Sequence, residues 1–197
     1  MAWGKLAGVT ATGSTTKFDS GVMTANKFLQ VQGHFTSGST FTPQIRVGNT
    51  TIDVGNTYTG RRSYNGGSDV TVINQSEITL DGVGNTLPVY FEGVIVNIST
   101  EEKLCIFHAV KMSAIGAGTA PARRETVFKW TNTSNQIDII EFLASAGNIS
   151  DIGVMAVLGD DVTTAPAVAT KVQDGSIFYE TDTNKSYVLS SNVWTEL

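Results

Sequence analysis

Apolar and polar residues alternate with a period close to two along most of this 197-residue chain, the repeat that places side chains on opposite faces of a β-strand. Phe28, Gln30, Gln32 and His34 share one face of a predicted strand, with Leu29, Val31 and Phe35 on the other. Pro88–Ser99 (PVYFEGVIVNIS) and Lys103–Ser113 (KLCIFHAVKMS) alternate only in part. They are apolar enough to predict strands covered on both sides. A turn at Glu101–Glu102 joins them into a long hairpin, which belongs at the centre of a sheet. Further strands are predicted at Gln44–Val47, Thr50–Val54, Val70–Ile73, Glu77–Leu80, Glu125–Trp130, Gln136–Phe142 and Ile152–Leu158. Turn signals at Gly48–Asn49, Gly55–Asn56, Asn65–Gly66–Gly67, Asp81–Gly82, Gly84–Asn85 and Gly147–Asn148 separate these runs. No window holds a sustained helical period. Short strands punctuated in this way predict an all-β fold, an antiparallel jelly-roll-like β-sandwich over residues 1–159.

Asp160–Val172 (DDVTTAPAVATKV) has small residues, a proline and no strand pattern, so residues 160–172 are read as a linker. Residues 173–197 form a predicted C-terminal β meander with strands at Ser176–Tyr179, Ser186–Leu189 and Val193–Glu196. Polar turns at Glu180–Lys185 and Ser190–Asn192 join them. So short a meander has too few apolar residues to bury a core and is marginal alone in water. It is therefore expected to rest on a neighbouring subunit. Phe178, Tyr179, Tyr187 and Trp194, together with Trp3, are the candidate inter-subunit contacts. A symmetric homo-oligomer, a trimer, would bring the meander onto the next protomer.

Hydrophobic residues make up 41% of the chain, enough for a core, while charged residues reach only 16%. Ser, Thr, Asn and Gly replace the missing charge. The net charge is −5, and no basic run exceeds the pairs Arg61–Arg62 and Arg123–Arg124. Nucleic-acid binding, which needs a basic stripe, is not expected. No apolar stretch approaches the ~20 residues that span a bilayer, so no membrane insertion is predicted. Met1–Val9 lacks the apolar core of a signal peptide. Synthesis in a cytoplasm without a cleaved leader is the expectation, and the sequons at Asn49, Asn97 and Asn132 then carry no weight.

Candidate chemistry is sparse. The single cysteine, Cys105, can form no internal disulfide and reads as a small buried hydrophobe. His34 and His108 lie on predicted strands, and no His-x-His or Cys-x-x-Cys spacing offers a zinc site. Cys105 and His108 fall on opposite faces of one strand, so they make no nucleophile–base pair. Asp138 and Glu141 point apart on a regular strand and are expected to face solvent; Glu101–Glu102 and Asp160–Asp161 sit in turns. None forms the carboxylate pair of a glycosidase. The chain is read as a non-enzyme without cofactor or metal. Glu180, Asp182 and Asn184 alternate like the start of a calcium loop, yet the glycine and the distal glutamate are missing, which favours an Asx turn. Tyr58, Tyr64, Trp130 and Trp194 are candidate exposed aromatics. Tyr58–Asn65 (YTGRRSYN) lies among turn signals, so Tyr58, Arg61, Arg62 and Tyr64 predict a receptor- or glycan-binding loop. Packing on a sheet edge or a neighbouring subunit is the alternative for these rings. Gly116–Ala122 is a second, flexible loop.

Two regions carry a family resemblance. Glu125–Phe142 (ETVFKWTNTSNQIDIIEF), with Lys129, Trp130, Asn132, Thr133, Ser134, Gln136 and Ile137, and the closing strand Ile152–Gly159 resemble β-sandwich proteins of tailed bacteriophages and marine viruses. Ile45–Gly55 (IRVGNTTIDVG) fits the same pattern. The final GSIFYETDTNKSYVLSSNVWTEL is similar to short "TDT-Y-W" modules at the ends of tail-fibre and other virion proteins. The resemblance implies a non-enzymatic, surface-exposed and multimeric structural protein of the virion. A tail-fibre or host-attachment subunit is the first expectation. A capsid decoration or head-fibre protein, and a glycan-binding module without catalysis, are the alternatives. It supplies no catalytic residues.

Overall fold

Strands form where β-branched and aromatic residues alternate with polar ones, and the chain divides into two compact units, Met1–Val162 and Thr163–Leu197. The computed structural model describes residues 3–11, 13–37, 41–80, 87–160, 175–191 and 193–197. In the first unit the strands are β1 (Gly4–Thr10), β2 (Lys17–Asp19), β3 (Phe28–Ser37), β4 (Pro43–Asn49), β5 (Thr51–Ile52), β6 (Tyr58–Tyr64), β7 (Val70–Gln75), β8 (Ile78–Thr79), β9 (Val89–Val96), β10 (Lys103–Lys111), β11 (Ala122–Trp130), β12 (Ile139–Ala144) and β13 (Ile149–Asp160). An eight-stranded sheet has the order β1-β13-β3-β9-β10-β11-β6-β7, and a smaller one the order β2-β12-β4-β5, with β8 also on β4. Every pairing is antiparallel. The expected all-β sandwich is observed, with the β9–β10 hairpin at the centre of the larger sheet.

The core lies between the two sheets, and in the larger one glycines make room for the strand beside them, two of them beneath aromatic rings. Gly33 is the cross-strand partner of Phe91, Gly93 of Phe107, and Gly60 of Phe128. A Cβ on Gly33 would lie 2.2 Å from the Phe91 ring, and one on Gly93 would lie 2.5 Å from the Phe107 ring. On Gly60 it would lie 2.7 Å from the Val127 carbonyl and 2.9 Å from the Phe128 Cβ. Phe91 stacks on Phe142 of the smaller sheet, with centroids 5.1 Å apart and planes 3° from parallel. Phe142 also meets Phe35 at 4.9 Å and Phe18 at 5.2 Å. One aromatic cluster thus joins the layers.

Three observed strands, β1, β2 and β6, lie outside the predicted set. The predicted Thr50–Val54 strand shrinks to β5 because Thr50 adopts a left-handed conformation, φ 61°, in the turn after β4. The predicted linker lies outside the described residues except for Asp160. In the second unit β14 (Ile177–Glu180), β15 (Lys185–Ser190) and β16 (Val193–Glu196) form the expected antiparallel meander.

If the rings depend on the glycines, Gly93→Ala costs about 1–3 kcal/mol through overpacking. This is read as a lower urea midpoint at unchanged slope. Gly118, where a Cβ meets nothing within 4 Å, is the control: Gly118→Ala stays within about 0.5 kcal/mol. Equal midpoints for the two variants would refute the packing argument.

Candidate interaction surfaces

Several residues that carry chemistry in the sequence are built into the interior. Tyr58 is only 1% exposed. Its hydroxyl accepts the Val47 N–H at 3.0 Å and shares its own proton between the carbonyls of Val47, at 2.8 Å, and Asp53, at 3.0 Å. Burial pushes this phenol far above its ordinary pKa. Trp130 is likewise 1% exposed and donates Nε1–H to the Asp53 carboxylate at 2.7 Å. Asp53 also accepts Gly55 N–H and the Thr57 hydroxyl, each at 2.8 Å. Burial works to raise the Asp53 pKa, but these three donors outweigh it and hold the carboxyl below its usual range. Lys103, fully buried, spreads its three N–H donors over the carbonyls of Ser99 (3.3 Å), Glu101 (2.6 Å) and Asn132 (2.7 Å), 5.8 Å above the Trp130 ring. Burial lowers its pKa. Asn97 is buried too, bonded to Asn26, Lys27, Gln136 and Ile137.

These positions correct the expected receptor loop. Tyr58, Arg61, Arg62 and Tyr64 lie on β6, where the pleat turns successive side chains to opposite faces. Tyr58 and Trp130 offer no ring to a ligand. Arg61 is exposed on the outer face of the large sheet, and the half-exposed Tyr64 lies 5.5 Å beneath the Arg124 guanidinium. Glu141, expected in solvent, is 1% exposed and held by Lys17 Nζ at 2.7 Å and Arg46 Nη1 at 3.5 Å. Asp138 accepts Thr50 N–H at 2.6 Å and Asn49 Nδ2–H at 3.1 Å, which secures the left-handed Thr50. The two carboxylates serve separate partners. Cys105 points inward, its thiol pushed up by burial, while His108 points outward. Among the described residues no group of three His, Cys, Asp or Glu is placed to hold a metal. Glu180 accepts the Thr183 hydroxyl at 2.5 Å and Asn184 accepts the Tyr179 hydroxyl at 2.8 Å, so their oxygens serve the turn.

Much of what remains outward on the central strands is apolar, between rows that carry charge. On the outer face of the eight-stranded sheet, Leu104 is 58% and Ile106 55% exposed. The strand register lays their neighbours out in rows. Leu104 lies between Val96 and Lys129, and Ile106 between Val94 and Val127. His108 lies between Glu92 and Glu125, and Val110 between Tyr90 and Arg123. An open hollow of about 660 Å³ runs over Val94, Leu104, Ile106 and Val127 towards Arg61. β9 and β10 are thus covered on the core side by the smaller sheet, while Leu104 and Ile106 on the other side are exposed in the single chain.

The meander presents apolar groups on two faces. Phe178, Tyr187 and Trp194 cluster on one, with Phe178 centroids 6.3 Å and 6.1 Å from the other rings. On the opposite face Ile177 is 68% and Val193 61% exposed, beside the exposed Tyr179. Trp3, the remaining candidate contact, is half-buried ahead of β1. No protein-family model, curated protein or solved structure matches the chain.

The Asp53 cluster gives a pH prediction. Its folded carboxyl titrates below the ordinary value of ~3.8, so the unfolded chain takes up this proton first as pH falls. The stabilisation is complete above the ordinary value and is lost as pH drops through the folded one. Asp53→Asn should lower stability at neutral pH by about 1.5–3 kcal/mol and make the acid limb shallower. Thermal midpoints measured from neutral to strongly acid pH check this, and parallel curves for wild type and variant would contradict it.

Proposed function

We propose that this protein is a non-enzymatic structural component of a virus particle that works as a homo-oligomer, its meander packed on a neighbouring copy. The carrying observation is the meander itself, whose strands keep Ile177, Phe178, Tyr179, Val193 and Trp194 exposed. Three strands this short do not repay such exposure in water. The setting on a tailed-phage surface comes from the sequence resemblance. Repeated copies would multiply weak contacts into firm attachment.

Two positions on the particle fit this reading, a tail-fibre or host-attachment subunit and a capsid decoration or head-fibre protein. The burial of Tyr58 and Trp130 removes two rings on which glycan attachment would lean, which favours decoration. Labelled protein applied to host cells and to undecorated capsids separates the two: capsid binding alone is the expected result. Removal of residues 175–197 should lower the number of subunits measured by light scattering, or cause aggregation. A truncated chain that keeps its native subunit number and solubility would falsify the assembly role of the meander.

A further inference from the structure

The hollow on the large sheet and the meander each hold one charge that its own surroundings leave unanswered, and the two charges are opposite. Around the hollow, which runs over Val94, Leu104, Ile106 and Val127, Lys129 is taken up by Glu102 at 2.6 Å. Arg61, exposed on the rim, has no hydrogen-bond or ion-pair partner among the described residues. We infer that this hollow receives the aromatic face of a neighbouring copy's meander, with Glu180 of that meander set against Arg61. The inference rests on the reading that the meander packs on another copy, and it names the surface that takes it.

The pairing register decides which face of the meander fits. Phe178 is the cross-strand partner of Tyr187, Glu180 of Lys185, Tyr187 of Glu196 and Leu189 of Trp194. Cross-strand partners share a face, so the three rings lie with Glu180, Lys185 and Glu196. Lys185 bonds Glu196 at 2.9 Å, which leaves Glu180 only the neutral hydroxyls of Thr183 and Tyr187. The strands carry no charged residue on the opposite face, that of Ile177, Tyr179 and Val193. Covering Arg61 with that face would bury a guanidinium without a partner, a penalty that Glu180 removes. Charge also sets the direction. Arg61 lies on β6, whereas Glu92 lies on β9, across β10 and β11 from it. The reverse placement would bring Glu180 towards Glu92, like against like. Glu125, in the row beside Val127, is engaged by Arg123 at 3.7 Å and does not line the hollow. Ring spacing agrees with the seat: Tyr187 and Trp194 stand 6.3 Å and 6.1 Å from Phe178, near the ~6.8 Å between outward residues two apart on a strand.

The test uses the full chain in light scattering and sedimentation equilibrium, with folding checked by near-ultraviolet dichroism. Arg61→Glu and Glu180→Arg each bring like charges together and should each weaken self-association about tenfold or more. The double variant should return to within about threefold of the wild type. Mixing the two single variants is the sharper arm, because each supplies the charge that the other's surface needs. The mixture should associate where neither variant does alone. Ile106→Asp should also lower the subunit number. Val193→Asp, on the uncharged face of the meander, and Val22→Asp, at an exposed position outside the hollow, should leave it unchanged. Charge reversals that keep the native subunit number, or a double variant that is not rescued, overturn the inference. Rescue in the double variant without rescue in the mixture places the meander on its own body and overturns it too. If removal of residues 175–197 lowers the subunit number and the charge reversals do not, this inference fails while the assembly role of the meander stands. A truncated chain that keeps its subunit number sinks that role and the inference together.

Discussion

Two phenylalanine rings resting on two glycines, with a third glycine held tight against the neighbouring strand, fix the register of the large sheet. Glycine in a strand is normally a loss, since it restricts a flexible residue and contributes no side chain. Here Gly33 and Gly93 make room for the rings of Phe91 and Phe107, which bury the surface that the glycines lack, and Gly60 lets its strand lie close to Val127 and Phe128. A slip of one residue would drive each ring against a Cβ and turn every side chain to the other face. The outward rows, Val94–Ile106–Val127 and Glu92–His108–Glu125, are thus placed by the core. The surface pattern is a consequence of packing beneath it.

The same economy governs the polar groups at the Trp130 end of the sandwich. Asp53, Tyr58, Lys103 and Asn97 are spent on strand ends, each with partners that answer its desolvation. Lys103 binds the turn between β9 and β10 to the segment after β11, while Tyr58 ties β6 of the large sheet to β4 of the small one. These groups close the ends of the two layers. What is left for water to meet on the central strands is a set of apolar rows beside a Glu92–His108–Glu125 row, and on the meander its exposed apolar groups.

β3 is legible from its alternation, and β9 and β10 from long, largely apolar runs bounded by turn signals. β6 was read as a loop because Gly60 and the Arg61–Arg62 pair mimic a turn. Its glycine instead lies tight against the Val127 carbonyl and the Phe128 Cβ, a role visible only once β11 lies beside it. The burial of Trp130 had a local signal: it is two residues from Phe128 and in phase with it. Glu141 had none. It lies out of phase with the inward Phe142, and its burial depends on Lys17 and Arg46, which come from distant strands. β1 escaped notice because an edge strand of small residues, GKLAGVT, carries little hydrophobic contrast.

Edges distinguish the two units more sharply than composition does. An open strand edge invites pairing with another chain, and proteins that remain apart blunt it with bulges, lysines, prolines or brevity. In the sandwich β1 carries a bulge and Lys5, β7 pairs irregularly with β6 and holds Asn74 at φ 51°, and β2 and β5 are two or three residues long. The meander's outer strands, IFYE and VWTE, have no lysine, no proline and no bulge in their pairing with β15. The meander's outer strands are kept short, at four residues each, and among the described residues that is the one such device they share with β2 and β5. The lighter protection of the small unit is a feature that the assembly proposed above would use.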